Sequence, residues 1–217
     1  MAVLPQASLF LGVIPALVLL FIGLKGYDEF YKEKNIFLTF VVGIILGFIA
    51  ALIELFTLTA GVLIIILFPV LEQILKTMIL NVGRLHGRKE TVIYGLSLGL
   101  GFGSIFTPVS IILANIQTES ILLLASIILG SIGIILVHGA TGVIIGYGVF
   151  IGKLMKNYVF ALILHIPVTI WFFLTGIYKI EFLQVCLILY GLVIYWYATK
   201  KIIPQILNRN QRRKKLG

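Results

Sequence analysis

Charge is scarce in this chain: of 217 residues only 12% are Asp, Glu, Lys or Arg, and just eight are acidic. So low a charged fraction beside 60% hydrophobic residues excludes an ordinary water-soluble domain. One cysteine, Cys186, excludes any internal disulfide and leaves the redox compartment open. Basic residues do not alternate with aromatics in any patch, so the net charge of +9 does not point to nucleic acid. No polar stretch is long enough to add a soluble domain, and no internal repeat supports a transporter built from inverted halves.

What the chain does hold is long apolar runs, each near the roughly 20 residues that cross about 30 Å of hydrocarbon at 1.5 Å per residue. They predict spans from Pro5 to Leu24, Ile36 to Leu58, Ala60 to Leu80, Val92 to Ile116, Ser120 to Ile151, Tyr158 to Ile177 and Phe182 to Ile203. The expected fold is all-α: a polytopic membrane protein of seven transmembrane helices, one domain over 1–207, with a basic cytoplasmic tail at 208–217. The first run lacks a basic segment before it and reads as a retained helix rather than a cleaved signal.

Orientation follows from the cations. With the N-terminus outside and the C-terminus cytoplasmic, 16 of the 17 Lys and Arg residues fall on or near the inner side, Lys76 among them; Lys179 alone falls outside. The tail from Arg209 to Lys215 is expected to anchor to anionic headgroups of the cell membrane. Between the second and third spans almost nothing separates the runs near Thr59, which predicts a tight hairpin. Pro69, Pro108 and Pro167 lie inside spans, where each removes a helix hydrogen bond.

Two patterns carry candidate function. In the fourth span Gly95, Gly99 and Gly103 recur every four residues, and Gly142 and Gly146 repeat the spacing in the fifth. Such a face admits a neighbouring backbone closely, either within the bundle or from a partner or substrate helix. The second pattern is a small set of ionisable groups at membrane depth, where burial is costly unless they are paired or used. Counting along the helices brings Glu72 of the third span, His138 of the fifth and His165 of the sixth to one layer, with Lys76 a turn from Glu72.

Two imidazoles and a carboxylate are a catalytic zinc ligand set, with a fourth position for water. Without metal, Glu72 would deprotonate water while the imidazoles carry protons or stabilise an oxyanion. A structural reading stands beside these. Glu72 and Lys76 would form a simple ion pair with the lysine reaching toward the interface, and each histidine would bond a carbonyl or hydroxyl across a helix contact. Glu54, near the outer end of the second span, suggests only an interfacial or hairpin role, and His86 in the loop His86-Gly-Arg-Lys reads as solvated.

The segments Glu72-Gln-Ile-Leu-Lys76, Tyr94-Gly-Leu-Ser-Leu-Gly-Leu-Gly-Phe-Gly103, His138-Gly-Ala-Thr-Gly-Val-Ile-Ile-Gly-Tyr-Gly148 and then His165 resemble, in order, the motifs of PrsW-type intramembrane proteases. The same order and glycine stretch resemble the anterior-pharynx-defective scaffold subunit of gamma-secretase. Gln73 stands where the protease pattern has a second acid, and Phe106-Thr107 where it has Glu-Asn. The first resemblance implies an intramembrane endopeptidase that hydrolyses a membrane-anchored peptide through Glu72, His138, His165 and Lys76. The second implies a non-catalytic scaffold that seats partner transmembrane helices on its glycine face.

Overall fold

The computed structural model describes residues 4–57, 63–113, 120–178 and 183–207. The expected turn at Thr59, the outlying Lys179 and the basic tail from Arg209 to Lys215 lie outside those residues. Seven long helices occupy the seven apolar runs: α1 (Leu4–Leu24), α2 (Glu33–Thr57), α3 (Ile64–Leu80), α4 (Glu90–Leu113), α5 (Ile121–Phe150), α6 (Leu154–Tyr178) and α7 (Leu183–Tyr197). Beyond α7 the chain continues through a π-helical turn, Ala198–Ile202, into a 3-10 turn, Ile203–Ile206. Among the described residues, six of these segments are long and apolar enough to cross a membrane; α3, with 17 residues described, is the exception. This is the architecture of a multi-pass membrane protein.

Side-chain exposure supports that reading. Phe21, Phe37 and Phe56 are each more than 70% exposed, which suits hydrocarbon and not water. Helices α1, α2, α3 and α6 bury one side and turn the other outward, whereas α4 is buried along nearly its whole length. A helix apolar on every side has no polar face to give to water and sits in the middle of the bundle. Accordingly α4 packs most extensively on α5, and α1 and α2 lie against its other sides. Helices α6 and α7 flank α5, and α3 closes the bundle chiefly against α6.

Glycine explains how α4 fits at the centre. A methyl group added at Gly95 would collide with the Gly142 carbonyl oxygen, one at Gly99 with the His138 carbonyl oxygen, and one at Gly103 would stand 2.9 Å from Ile135 Cα. Gly142 and Gly146 return the contact, toward Gly95 and Thr91. On the opposite side of α4, Gly101 meets the Phe40 carbonyl of α2, while Gly43 and Gly47 of α2 meet the Leu98 and Phe102 carbonyls. Backbone thus lies against backbone on both sides, the packing that small residues permit where lipid gives no hydrophobic drive for helix association. The five glycines singled out from the sequence line the α4–α5 seam from within.

Polar side chains tie the remaining helices to the centre. Ser97 of α4 donates to the Ile36 carbonyl at 2.7 Å, Tyr195 of α7 to the Leu19 carbonyl at 2.8 Å, and Tyr190 of α7 to the Leu164 carbonyl at 2.7 Å. Helix ends are set by local chemistry: Ser120 accepts the Leu123 amide at the start of α5. Gly152, at φ +68°, ends that helix with Lys153 N–H bonded back to the Gly148 carbonyl at 2.8 Å. The start of α4 (Thr91) lies beside the end of α5 (Gly146), and Tyr147 bonds Gln205 beyond α7. Among the described residues, the basic side chains of the loops and of the turn after α7 therefore gather at one end of the bundle.

Candidate functional site

Helices α3, α5 and α6 each carry one polar side chain to a common point inside the bundle. At 1.5 Å per residue, Glu72, His165 and His138 lie roughly 12 to 18 Å from the basic end of their helices. All three are buried, at 5%, 2% and 2% exposure. His165 Nε2 stands 2.7 Å from Glu72 Oε2 and His138 Nε2 3.9 Å from Glu72 Oε1. One donor atom from each of the three lies within 4.8 Å of the others. The rings of His138 and His165 meet edge to face at 4.7 Å.

The surrounding side chains fix this arrangement. The His138 ring stacks on Phe102 of α4 at 4.9 Å, and the Gly99 contact holds its backbone. Gln73, next to Glu72 on α3, bonds His165 Nδ1 through its amide nitrogen at 3.0 Å. With Nδ1 accepting from Gln73, the ring proton of His165 sits on Nε2 and points at the Glu72 carboxylate. Two atoms here lack a hydrogen-bond partner among the described residues, His138 Nδ1 and Gln73 Oε1. A buried polar atom without a partner costs about 1–3 kcal/mol.

Lys76 departs from the expectation of an ion pair with Glu72. Its side chain is fully buried and does not reach the interface; Nζ donates to Thr141 Oγ1 at 2.9 Å and lies 5.1 Å from the centre of the Phe102 ring. Thr141 in turn donates to the His138 carbonyl at 3.1 Å. Among the described residues no ion pair joins Lys76 to Glu72, although the two are within electrostatic reach. The helix turns Lys76 toward α5 and Glu72 toward the histidines, so the lysine braces the His138 segment.

Other sequence expectations sort just as plainly. His86 bonds Asn81 at the exposed end of the bundle and takes no part in the cluster. Phe106 packs on Phe172 of α6, at 5.1 Å between ring centres. Three residues close to the cluster were not singled out as participants from sequence: Gln73, Thr141 and Glu54. Glu54 is buried at 8% exposure and interacts electrostatically with Glu72 across the α2–α3 contact. Its position three residues after Ala51, on the stripe of Gly43, Gly47 and Ala50 that α2 buries, is the signal that it points inward.

The donor set can be tested against a metal. Ligand atoms around a tetrahedral Zn²⁺ at about 2.1 Å stand roughly 3.4 Å apart, whereas one ligand atom from each of the three residues lies within 4.8 Å of the others, so the side chains would have to draw together by up to about 1.4 Å to hold the ion. Gln73 fits either state. Turned over, its Oε1 would accept a proton on Nδ1 of His165 and free Nε2 as a ligand, the outer-sphere role such partners take at metal sites. No protein-family model matches the chain, and neither a curated protein nor a solved structure shows significant similarity to it.

Proposed function

We propose that the chain is a seven-span protein of the cell membrane, N-terminus outside and C-terminus cytoplasmic, whose Glu72, His138 and His165 form a hydrolytic centre for membrane-anchored peptides. One observation carries this reading: three ionisable side chains from three helices converge at membrane depth, where unpaired polar groups are costly and therefore rare unless used. The resemblance of the ordered segments to intramembrane proteases supplies the reaction class.

In this reading Glu72 is the general base. A water between Glu72 Oε1 and His138 Nε2 could touch both at about 2.8 Å, given their 3.9 Å separation. Glu72 takes a proton from that water as its oxygen bonds to the scissile carbonyl carbon. His138 donates to the resulting oxyanion, and the proton held by Glu72 passes to the leaving amine as the C–N bond breaks. His165, held by Gln73, keeps the carboxylate oriented, and Lys76 braces α5 through Thr141. A Zn²⁺ held by Glu72, His138 and His165 would make a bound water more acidic and polarise the carbonyl.

The test is cleavage of single-span reporter peptides in proteoliposomes, with products identified by mass spectrometry. Wild type is expected to cleave and Glu72→Gln to lose at least about 100-fold in rate, the lower range for removal of a general base. Equal cleavage by the two proteins would end the assignment.

A further inference from the structure

At the basic end of the bundle, far from the polar cluster, the α1–α2 and α3–α4 connections enclose a groove of about 720 Å³. Its volume is that of a small-molecule site. Four cations line it, Lys32, Arg84, Arg88 and Lys89, against two carboxylates, Glu29 and Glu90. Arg88 and Glu90 are paired at 3.4 Å, which leaves the groove with a positive excess. Lys32 and Arg84 have no ion-pair partner among the described residues.

The floor is built rather than merely exposed. Tyr94, at 4% exposure, opens α4 from below, and its hydroxyl oxygen accepts from Asn35 Nδ2 at 3.0 Å. That bond uses the oxygen and leaves the phenolic proton without an acceptor among the described residues, in a wall of the groove. An O–H donor below and cations above call for an anionic acceptor with several oxygens. Phe30, with Lys89 Nζ 5.7 Å above its ring, and Tyr31 supply an apolar shelf on the same rim. An ion in water does not need that shelf. A phosphodiester attached to acyl chains does.

We infer that this groove binds the phosphodiester headgroup of an anionic membrane lipid, with Lys32 and Arg84 on the phosphate oxygens and the Tyr94 hydroxyl as a third donor. Basic pockets between helix ends at the membrane face suit such headgroups. The lipid bridges the loop before α2 to the loop before α4, and the site is independent of any hydrolysis in the core.

Purified protein in a neutral detergent is titrated with dioctanoyl phosphatidylglycerol or dioctanoyl phosphatidylcholine, and bound lipid is counted by native mass spectrometry. The phosphatidylglycerol is expected to bind as one tight equivalent and the phosphatidylcholine at least tenfold more weakly. Lys32→Gln/Arg84→Gln should weaken the anionic lipid about 30-fold, from two lost cations. Lys200→Gln/Lys201→Gln, at the same end but outside the groove, should leave it unchanged. Equal binding of both lipids to wild type overturns the inference, and this comparison needs no variant to fold. Equal weakening by the two double variants overturns it as well, since a diffuse surface charge would then suffice. Displacement of the lipid by glycerol 1-phosphate at similar concentration would make a soluble phosphate ester the ligand and also overturn it.

Discussion

Gly99→Ala puts one methyl group into the tightest part of the bundle. The added carbon would stand 2.8 Å from the His138 carbonyl carbon and 3.0 Å from Gly139 Cα, besides its collision with the carbonyl oxygen. Carbon atoms rest about 3.5–4.0 Å apart and the carbonyl oxygen is nearer still, so α4 and α5 must part by about 1 Å along the seam. The obstructing atoms are backbone, with no side chain to swing aside, which puts the cost at the upper end of the about 1–3 kcal/mol for overpacking. Alanine's better helix propensity returns about 1 kcal/mol. The expected net loss is about 2 kcal/mol, or about 30-fold in the folding equilibrium. Equilibrium unfolding in mixed micelles measures it, with Gly83→Ala as the control because nothing lies within 4 Å of the added atom there. Since the same contact positions His138, Gly99→Ala should also reduce any hydrolytic activity. A Gly99→Ala protein as stable as wild type would refute the close approach of the two backbones.

Further outcomes follow from the polar contacts. Thr141→Val should destabilise by about 1–3 kcal/mol by leaving Lys76 Nζ unpaired, whereas adding Lys76→Met should recover most of that loss; unfolding of the single and double variants reads the difference. Gln73→Leu removes the partner of His165 Nδ1 and should shift the imidazole nitrogen resonances of His165 in ¹⁵N spectra; unchanged spectra would remove Gln73 from the cluster. If the cluster holds a metal, elemental analysis should find one Zn²⁺ per wild-type chain and at least a tenfold lower occupancy at matched free metal in His165→Ala. Burial pushes the Tyr27 phenol, in the loop before α2, up to about 12. The folded state therefore holds that proton longer than the unfolded chain, and the contribution is full below pH about 10 and lost as pH rises toward about 12. Absorbance titration of wild type against Tyr27→Phe should resolve this late phenolate.

Helix existence was legible because length and hydropathy decide it: α1, α4, α5 and α6 begin and end within a few residues of the expected spans. The rotation of each helix about its axis was not. Hydropathy cannot separate a lipid-facing leucine from a buried one, so the patterns that reveal facing are small residues and isolated polar ones. Gly95, Gly99 and Gly103 marked a seam correctly but could not say whose backbone fills it. Counting along the helices put Glu72, His138 and His165 in one layer, and that inference needed only rise per residue. The orientation of Lys76 toward Thr141 rather than Glu72, and of Gln73 toward His165, depends on where α5 and α6 cross α3, which no local pattern encodes. The inward direction of Glu54 was readable from the small-residue stripe it shares, but its approach to Glu72 was not, because Glu72 lies on another helix.

The central place of α4 also bears on how the chain is assembled in time. Helices α1 and α2 have their main contacts with α4 and touch each other little. As the polypeptide leaves the ribosome, the first two helices must wait in the bilayer for a stretch that begins near residue 90 before either finds its main neighbour, although α2 meets α3 earlier. Until then Gly43 and Gly47 face lipid or an insertase, and a truncation before α4 should leave a product that quality-control proteases clear.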